Sequence, residues 1–246
     1  MIYIKNSKEI SGIKEACKIW KDIRAFVYHS AKIGMTTLEL DILIGNEIKR
    51  LGGTPTFYKY GDFPNNICIS VNDELIHGIP SQYKIKNGDM VTFDIGVTYN
   101  EYVCDSAFTI IFGANEEAQK ISDATYESLM ETIKIIKSQV YTGDLGNVTE
   151  KIAKKYGYEV VKDFSGHGCG KKLHEDPSIL NYGSINSGVK LVEGMTICIE
   201  PMLLTGSDEY YIENNEWTVK SRNHKLTCHW EHMVLVKKDG FEILTE

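Results

Sequence analysis

The sequence predicts a duplicated α+β domain, with antiparallel strands in the centre and helices outside, and three observations carry that prediction. A helix–helix–strand order appears twice, about 105 residues apart. Each copy contains a glycine followed by a β-rich run that ends in a carboxylate, Gly88 to Asp94 and Gly194 to Glu200. No linker-like or low-complexity stretch separates the copies, so two half-repeats, roughly residues 1–113 and 114–246, are expected to share one domain.

In the first copy, apolar residues recur at Ile10, Ile13, Cys17, Trp20, Ile23 and Val27, the stripe of a helix from Ser7 to about Ala31 with one buried face. Gly34 is a natural stop. Thr36 and Glu39 have capping-box spacing and open a second helix that ends near Gly52. Strand-like runs follow at Ile67 to Val71, Met90 to Val97 and Val103 to Phe112. In the second copy, helical patterns run from Glu116 to Lys137 and from Thr142 to Gly157. The latter has the same length as Thr37 to Gly52, with Leu145 in the place of Leu40.

Composition narrows the class. The 246 residues are 42% hydrophobic and 25% charged, the balance of a globular protein, and a formal charge of −7 argues against nucleic acid as the principal ligand. There is no apolar run of membrane-spanning length, and the amino-terminal stretch is amphipathic rather than leader-like, so a cytoplasmic location is expected. Six cysteines without a CxxC pair read as free thiols, most of them in apolar runs.

The chemistry lies in carboxylates where strands should be apolar. Asp94 and Asp105 fall in runs that otherwise read as buried. A hairpin turning at Tyr99 and Asn100 would set them directly opposite each other, which is costly unless a cation lies between them. Glu200 closes the run Thr196-Ile-Cys-Ile199, and Glu231 stands just before the run beginning at His232. No lysine or arginine accompanies these acids to neutralise them. His167, framed by Gly166 and Gly168, adds an imidazole whose flanking glycines permit close backbone approach. Hard oxygens with one imidazole suit Mn, Fe, Co or Zn, and Asp94, Asp105, His167, Glu200 and Glu231 are expected to form one two-metal hydrolytic centre.

Phe164-Ser-Gly-His-Gly-Cys-Gly-Lys-Lys-Leu-His174, followed by Leu180-Asn-Tyr182, resembles the signature of type I methionine aminopeptidases. His77-Gly-Ile-Pro80, Asp94, Asp105, Glu200-Pro201 and Glu231-His232 stand in that family's order and spacing, and the resemblance covers essentially the whole chain. It implies the pita-bread fold of the creatinase/aminopeptidase type, with two pseudo-symmetric halves. It also implies removal of an amino-terminal methionine from nascent proteins and peptides with a small second residue, by attack of a metal-bridging hydroxide. Asp105 and Glu231 would bridge two divalent ions, Asp94 would complete one site, and His167 with Glu200 the other. Glu200 would shuttle the proton, with His174 and His77 contacting the peptide and the tetrahedral intermediate.

By the same resemblance Tyr60, Phe63, Cys68, Leu173 and Trp217 line the methionine pocket, and a monovalent cation is held near Asn72, Glu74 and Thr227. Partners are amino-terminal-methionine peptides and nascent chains, with transient ribosome contact and no membrane or specific nucleic-acid site. Leu173, Lys171-Lys172, His229 and Trp230 depart from the family's commoner residues. A smaller wall at Leu173 would loosen selectivity, and the lysine pair would form a positive rim for the incoming peptide or a ribosomal surface. The spacing of 31 positions between Glu200 and Glu231 leaves no room for a type II insertion, and the chain has the look of the minimal bacterial form. Competing readings are a prolidase or Xaa-Pro aminopeptidase, which usually carries an additional amino-terminal domain, a metal-free binding module, and a carboxylate-pair glycosidase.

Overall fold

Local signals in the sequence set the helix boundaries. In the computed structural model, which describes residues 1–246, Asn6 and Glu9 form a reciprocal capping box at the start of α1 (Ser7–Ser30). Thr36 and Glu39 do the same for α2 (Thr37–Arg50). The second copy supplies α3 (Glu116–Lys134), three residues shorter than its pattern suggests, and α4 (Thr142–Lys155). No helix is long and apolar enough to cross a membrane.

The repeat is written into the backbone. Thr36 N–H donates to Glu39 at 2.7 Å, and Tyr141 N–H donates to Asp144 at 2.9 Å. An isolated antiparallel bridge joins Thr36 to Lys84 in one copy and Tyr141 to Lys190 in the other. Gly88 and Gly194, which open the paired acidic runs, have φ of 92° and 90°, a conformation that excludes most side chains.

Two sheets carry the site. In the first, the Met90–Tyr99 strand pairs with Cys68–Val71, with Thr54–Pro55 and, as a long hairpin, with Tyr102–Ile111. In the second, the order is Gly240–Ile243, His232–Lys237, Thr196–Ile199, Ser165–Gly168 and Glu175–Leu180. α1 lies on the first hairpin, where buried Trp20 meets Phe108 edge-on at 6.0 Å and donates its indole N–H to the Ile95 carbonyl at 2.9 Å. All six cysteines are buried and free.

The hairpin corrects one expectation. Its turn is centred on Asn100 and Glu101, both with positive φ (47° and 70°), the type I′ geometry that matches strand twist. The register therefore shifts, pairing Asp94 with Ala107 and Asp105 with Gly96. The two aspartates are diagonal neighbours on one face, not directly opposite. In the second copy Pro201 offers no N–H and the strand breaks beside it. The ladders on either side, Ile199 with His232 and Met202 with His229, keep one register, which sets Glu200 across from Glu231.

The copies meet along Asp105–Thr109. Glu231 N–H donates to the Ala107 carbonyl at 2.9 Å, Ser106 Oγ donates to the Glu231 carbonyl at 2.5 Å, and Thr109 Oγ1 donates to the His229 carbonyl at 2.8 Å. Asp94, Asp105, Glu200 and Glu231 thus converge on a single seam.

Candidate metal centre

A cavity of about 520 Å³ opens on this seam. Asp94, Asp105, His167, Glu200 and Glu231 line it, together with His77, His174, Tyr60, Phe63, Cys68, Leu173 and Trp217, so every residue singled out in the sequence for the centre and its pocket reaches one space. Phe57, Ile76, Phe164 and Met202 add apolar wall that the sequence reading did not assign. Met202 sits two residues beyond Glu200, across the Pro201 break at which the register is kept, and that spacing is the signal that could have found it.

His167 is delivered by glycine. A Cβ on Gly166 would lie 2.4 Å from the Cys198 carbonyl oxygen, and one on Gly168 would lie 2.4 Å from the Asp176 carbonyl oxygen. Only glycine lets the Ser165–Gly168 strand approach this closely, and the ladder to Glu175–Leu180 changes register at His167. The His167 Nδ1–H donates to the Gly168 carbonyl at 2.9 Å, which leaves a lone pair on Nε2 facing the cavity. Nε2 stands 3.3 Å from Glu200 Oε1 and 3.7 Å from Asp105 Oδ2. A lone pair facing carboxylate oxygens at that distance is repulsive unless a cation or proton intervenes.

The carboxyl groups make the same demand. Asp94 Oδ1, Asp105 Oδ1, Glu200 Oε1 and Glu231 Oε1 are buried without a hydrogen-bond partner. Burial pushes the Asp94 carboxyl up to about 7. Burial, with the neighbouring carboxylates, drives Asp105, Glu200 and Glu231 well above the usual range. Burial likewise holds His167 at about 3 and His77 at about 4, each with a further push from His174. Four acids that resist ionising beside imidazoles that resist protonation form a donor set short of positive charge, and divalent cations fit that deficit. The one buried lysine, Lys5, is committed elsewhere, to Glu175 at 2.5 Å.

The tightest set of potential ligand atoms, all within 4.8 Å of one another, comes from Asp105, His167, Glu231 and, unforeseen, Cys198. Burial pushes the Cys198 thiol well above its usual value in the metal-free chain, and its S–H points at the Asp105 carbonyl at 3.8 Å. Cys198 lies two residues before Glu200 in a strand, and that alternation was its sequence signal.

The pocket side is aromatic. Trp217 meets Phe63 edge-on at 5.2 Å and His77 at 6.3 Å, and His77 packs against Phe164 at 6.0 Å. His77 holds a left-handed φ of 57°, a conformation a non-glycine residue adopts only under the constraint of its surroundings. Tyr60 shares a 2.9 Å hydrogen bond with His174 Nδ1, and the His174 ring stands edge-on to His167 at 4.5 Å. Asn72 and Thr227 also adjoin, with the Thr227 N–H donating to the Asn72 carbonyl at 3.0 Å, while Glu74 accepts from the Val71 N–H. Lys171 is not a free rim charge, because it pairs with Glu9 at 2.7 Å.

The sequence profile described as metallopeptidase family M24 matches residues 11–238. The chain belongs to metallopeptidase family M24. Curated relatives match it over nearly their whole length. A methionine aminopeptidase of Mycoplasmoides gallisepticum is 43% identical, with 100% of each chain covered. The crystal structure of the methionine aminopeptidase from Rickettsia prowazekii superposes with a TM-score of 0.98 at 34% identity, again covering 100% of both chains. The prolidase from Pyrococcus furiosus gives a TM-score of 0.81 at 28% identity, but only 65% of that longer chain is covered. As an M24 metallopeptidase the chain has the pita-bread fold and uses divalent metal.

Proposed function

We infer that the protein is a methionyl aminopeptidase of type I, which removes the leading methionine from peptides and nascent chains whose second residue is small. The observation that carries this reading is the correspondence over 100% of both chains to relatives named methionine aminopeptidase. The apolar, sulfur- and aromatic-walled cavity against the acidic seam supports it, because a methionine side chain needs a soft pocket of this kind. The two half-repeats, residues 1–113 and 114–246, act as a single catalytic domain.

Asp94, Asp105, His167, Glu200 and Glu231 would together hold two divalent ions (Co, Mn, Fe or Zn), Asp94 and Asp105 from the first half and His167, Glu200 and Glu231 from the second. When bound, such ions lower the pKa of water toward neutrality and polarise a carbonyl oxygen. Phe63, Cys68, Leu173 and Trp217 enclose the methionine side chain, and Tyr60 fixes the ring of His174. His174 and His77 donate toward the oxygen of the scissile amide and the peptide backbone, and burial keeps both histidines neutral for that purpose. Glu200 takes a proton from water and passes it to the leaving amine, a task open to a carboxyl group with a buried, unpartnered oxygen on the cavity. A monovalent cation near Asn72, Glu74 and Thr227, a cytoplasmic location and transient ribosome contact complete the proposal.

The test is release of methionine from Met-Ala-Ser, with Met-Leu-Ser and Gly-Pro as alternatives, in Mn, Co or Fe and then in EDTA. Chelator-sensitive cleavage of Met-Ala-Ser alone is expected. Turnover of Gly-Pro instead would establish a prolidase, and chelator-resistant activity would refute a metal centre.

A further inference from the structure

We propose that His229 is a positioning residue for Glu200, its Nε2–H holding the second carboxylate oxygen during turnover. The inference rests on the proposed role of Glu200 as proton shuttle. His229 is 2% exposed, closes the strand Thr227–His229 and has its carbonyl fixed by Thr109. Both of its ring nitrogens are buried without a hydrogen-bond partner, which buried imidazoles rarely are. Nε2 lies 3.8 Å from Glu200 Oε2, while Glu200 Oε1 faces His167 Nε2 at 3.3 Å.

These two imidazoles flank the same carboxylate but are not equivalent. The Nδ1 of His167 is spent on the Gly168 carbonyl, so its Nε2 carries a lone pair and cannot donate to Glu200. His229 has no such commitment, and its Nε2–H is free to restrain Oε2. A closure of about 1 Å brings the pair to hydrogen-bond length, in the way that catalytic contacts tighten on loading. One oxygen of Glu200 is then left for the metal and water side, and the other is tethered from behind.

The experiment combines kinetics on Met-Ala-Ser with ¹⁵N-histidine NMR of the full chain loaded with diamagnetic zinc. His229→Leu is expected to lower kcat by tenfold or more, the scale of lost outer-shell partners, with KM and metal content within twofold of the parent. His229→Gln, which keeps an N–H donor of similar reach, recovers most of that loss. In the spectra His229 carries its proton on Nε2, and that resonance moves in Glu200→Ala. The proposal is overturned if His229→Leu keeps kcat within twofold, if His229→Gln is as impaired as His229→Leu, or if the proton sits on Nδ1. Should His229→Leu fail to fold, the tautomer in the unaltered chain and the His229→Gln rates still decide. Failure of the parent chain to release methionine would count against the aminopeptidase reading, and the tautomer would still test the contact itself.

Discussion

The two halves of the molecule use one backbone plan to different ends. In the first, a continuous hairpin of two ten-residue strands carries short aspartates set diagonally across it. In the second, both corresponding strands are interrupted, at Glu200-Pro201 and at Trp230-Glu231, and longer glutamates face each other across the break. The Asp94 carboxyl is raised by burial alone, whereas Glu200 lies within 4 Å of the imidazoles of His167 and His229. An uninterrupted strand offers rigidity and fixed reach. A broken one offers a longer arm with neighbours that can exchange or steady a proton. The first half is therefore suited to holding cations, and the second to holding them and moving protons.

Paired substitutions break this comparison most sharply. Glu200→Gln should retain its metals yet lose about 10²- to 10⁴-fold in kcat, the range of a positioned acid–base group, and added Mn should restore nothing. Asp94→Asn should instead lose metal, and raising the Mn concentration should recover much of its rate. Metal content and kcat as a function of Mn measure both, and equal rescue of the two variants would erase the division of labour.

Stability against pH gives a smaller effect with a defined sign. Asp94 titrates near 7 in the folded, metal-free chain, against an ordinary value of 3.8, so between these values the folded state holds a proton the unfolded state has lost. That contribution is complete at low pH and disappears as pH rises through about 7; Asp105, Glu200 and Glu231, also raised, add losses of the same sign. His167 and His229, held near 3 by burial, act in the opposite direction, but only below the ordinary imidazole value of 6.5. Between 6.5 and 9.0, the ordinary values of the imidazoles and of the buried thiols, these carboxyl groups set the trend. The metal-free chain should then lose about 1.4 kcal/mol per pH unit for each proton displaced, or about 3–6 °C in Tm. Thermal melts in EDTA and in Mn measure it, and the fall should vanish with metal.

The smallest expected change concerns the pocket. Leu173→Phe, which refills the wall beside His174, should sharpen the preference for methionine over leucine by about three- to tenfold, within what a side-chain-sized contact provides. Competition between Met-Ala-Ser and Leu-Ala-Ser reads it directly.

The architecture was legible where a feature repeats or interrupts a pattern. The capping pair Thr36–Glu39, the glycines at 88 and 194, and carboxylates ending apolar runs all declare themselves locally, whereas the matching Tyr141–Asp144 contact emerges only in the fold. The hairpin register was not legible, because Asn100-Glu101 and Tyr99-Asn100 are equally acceptable turn centres until strand twist selects the former. Cys198 and His229 escaped assignment for a related reason. His229 stood out only as a departure from the family's commoner residue and Cys198 only by its alternation with Glu200, and the bearing of each on the centre depends on which strand lies across from it. Lys5, near the amino terminus, meets Glu175 across 170 positions, a pairing no local pattern announces.

The claim that two half-sites make one centre is tested most directly by anomalous diffraction from crystals soaked in manganese. Two peaks are predicted on the seam, both contacted by Asp105 and Glu231, one also by Asp94 and the other by His167 and Glu200. A single peak held by one half alone, or density away from the seam, would contradict the account.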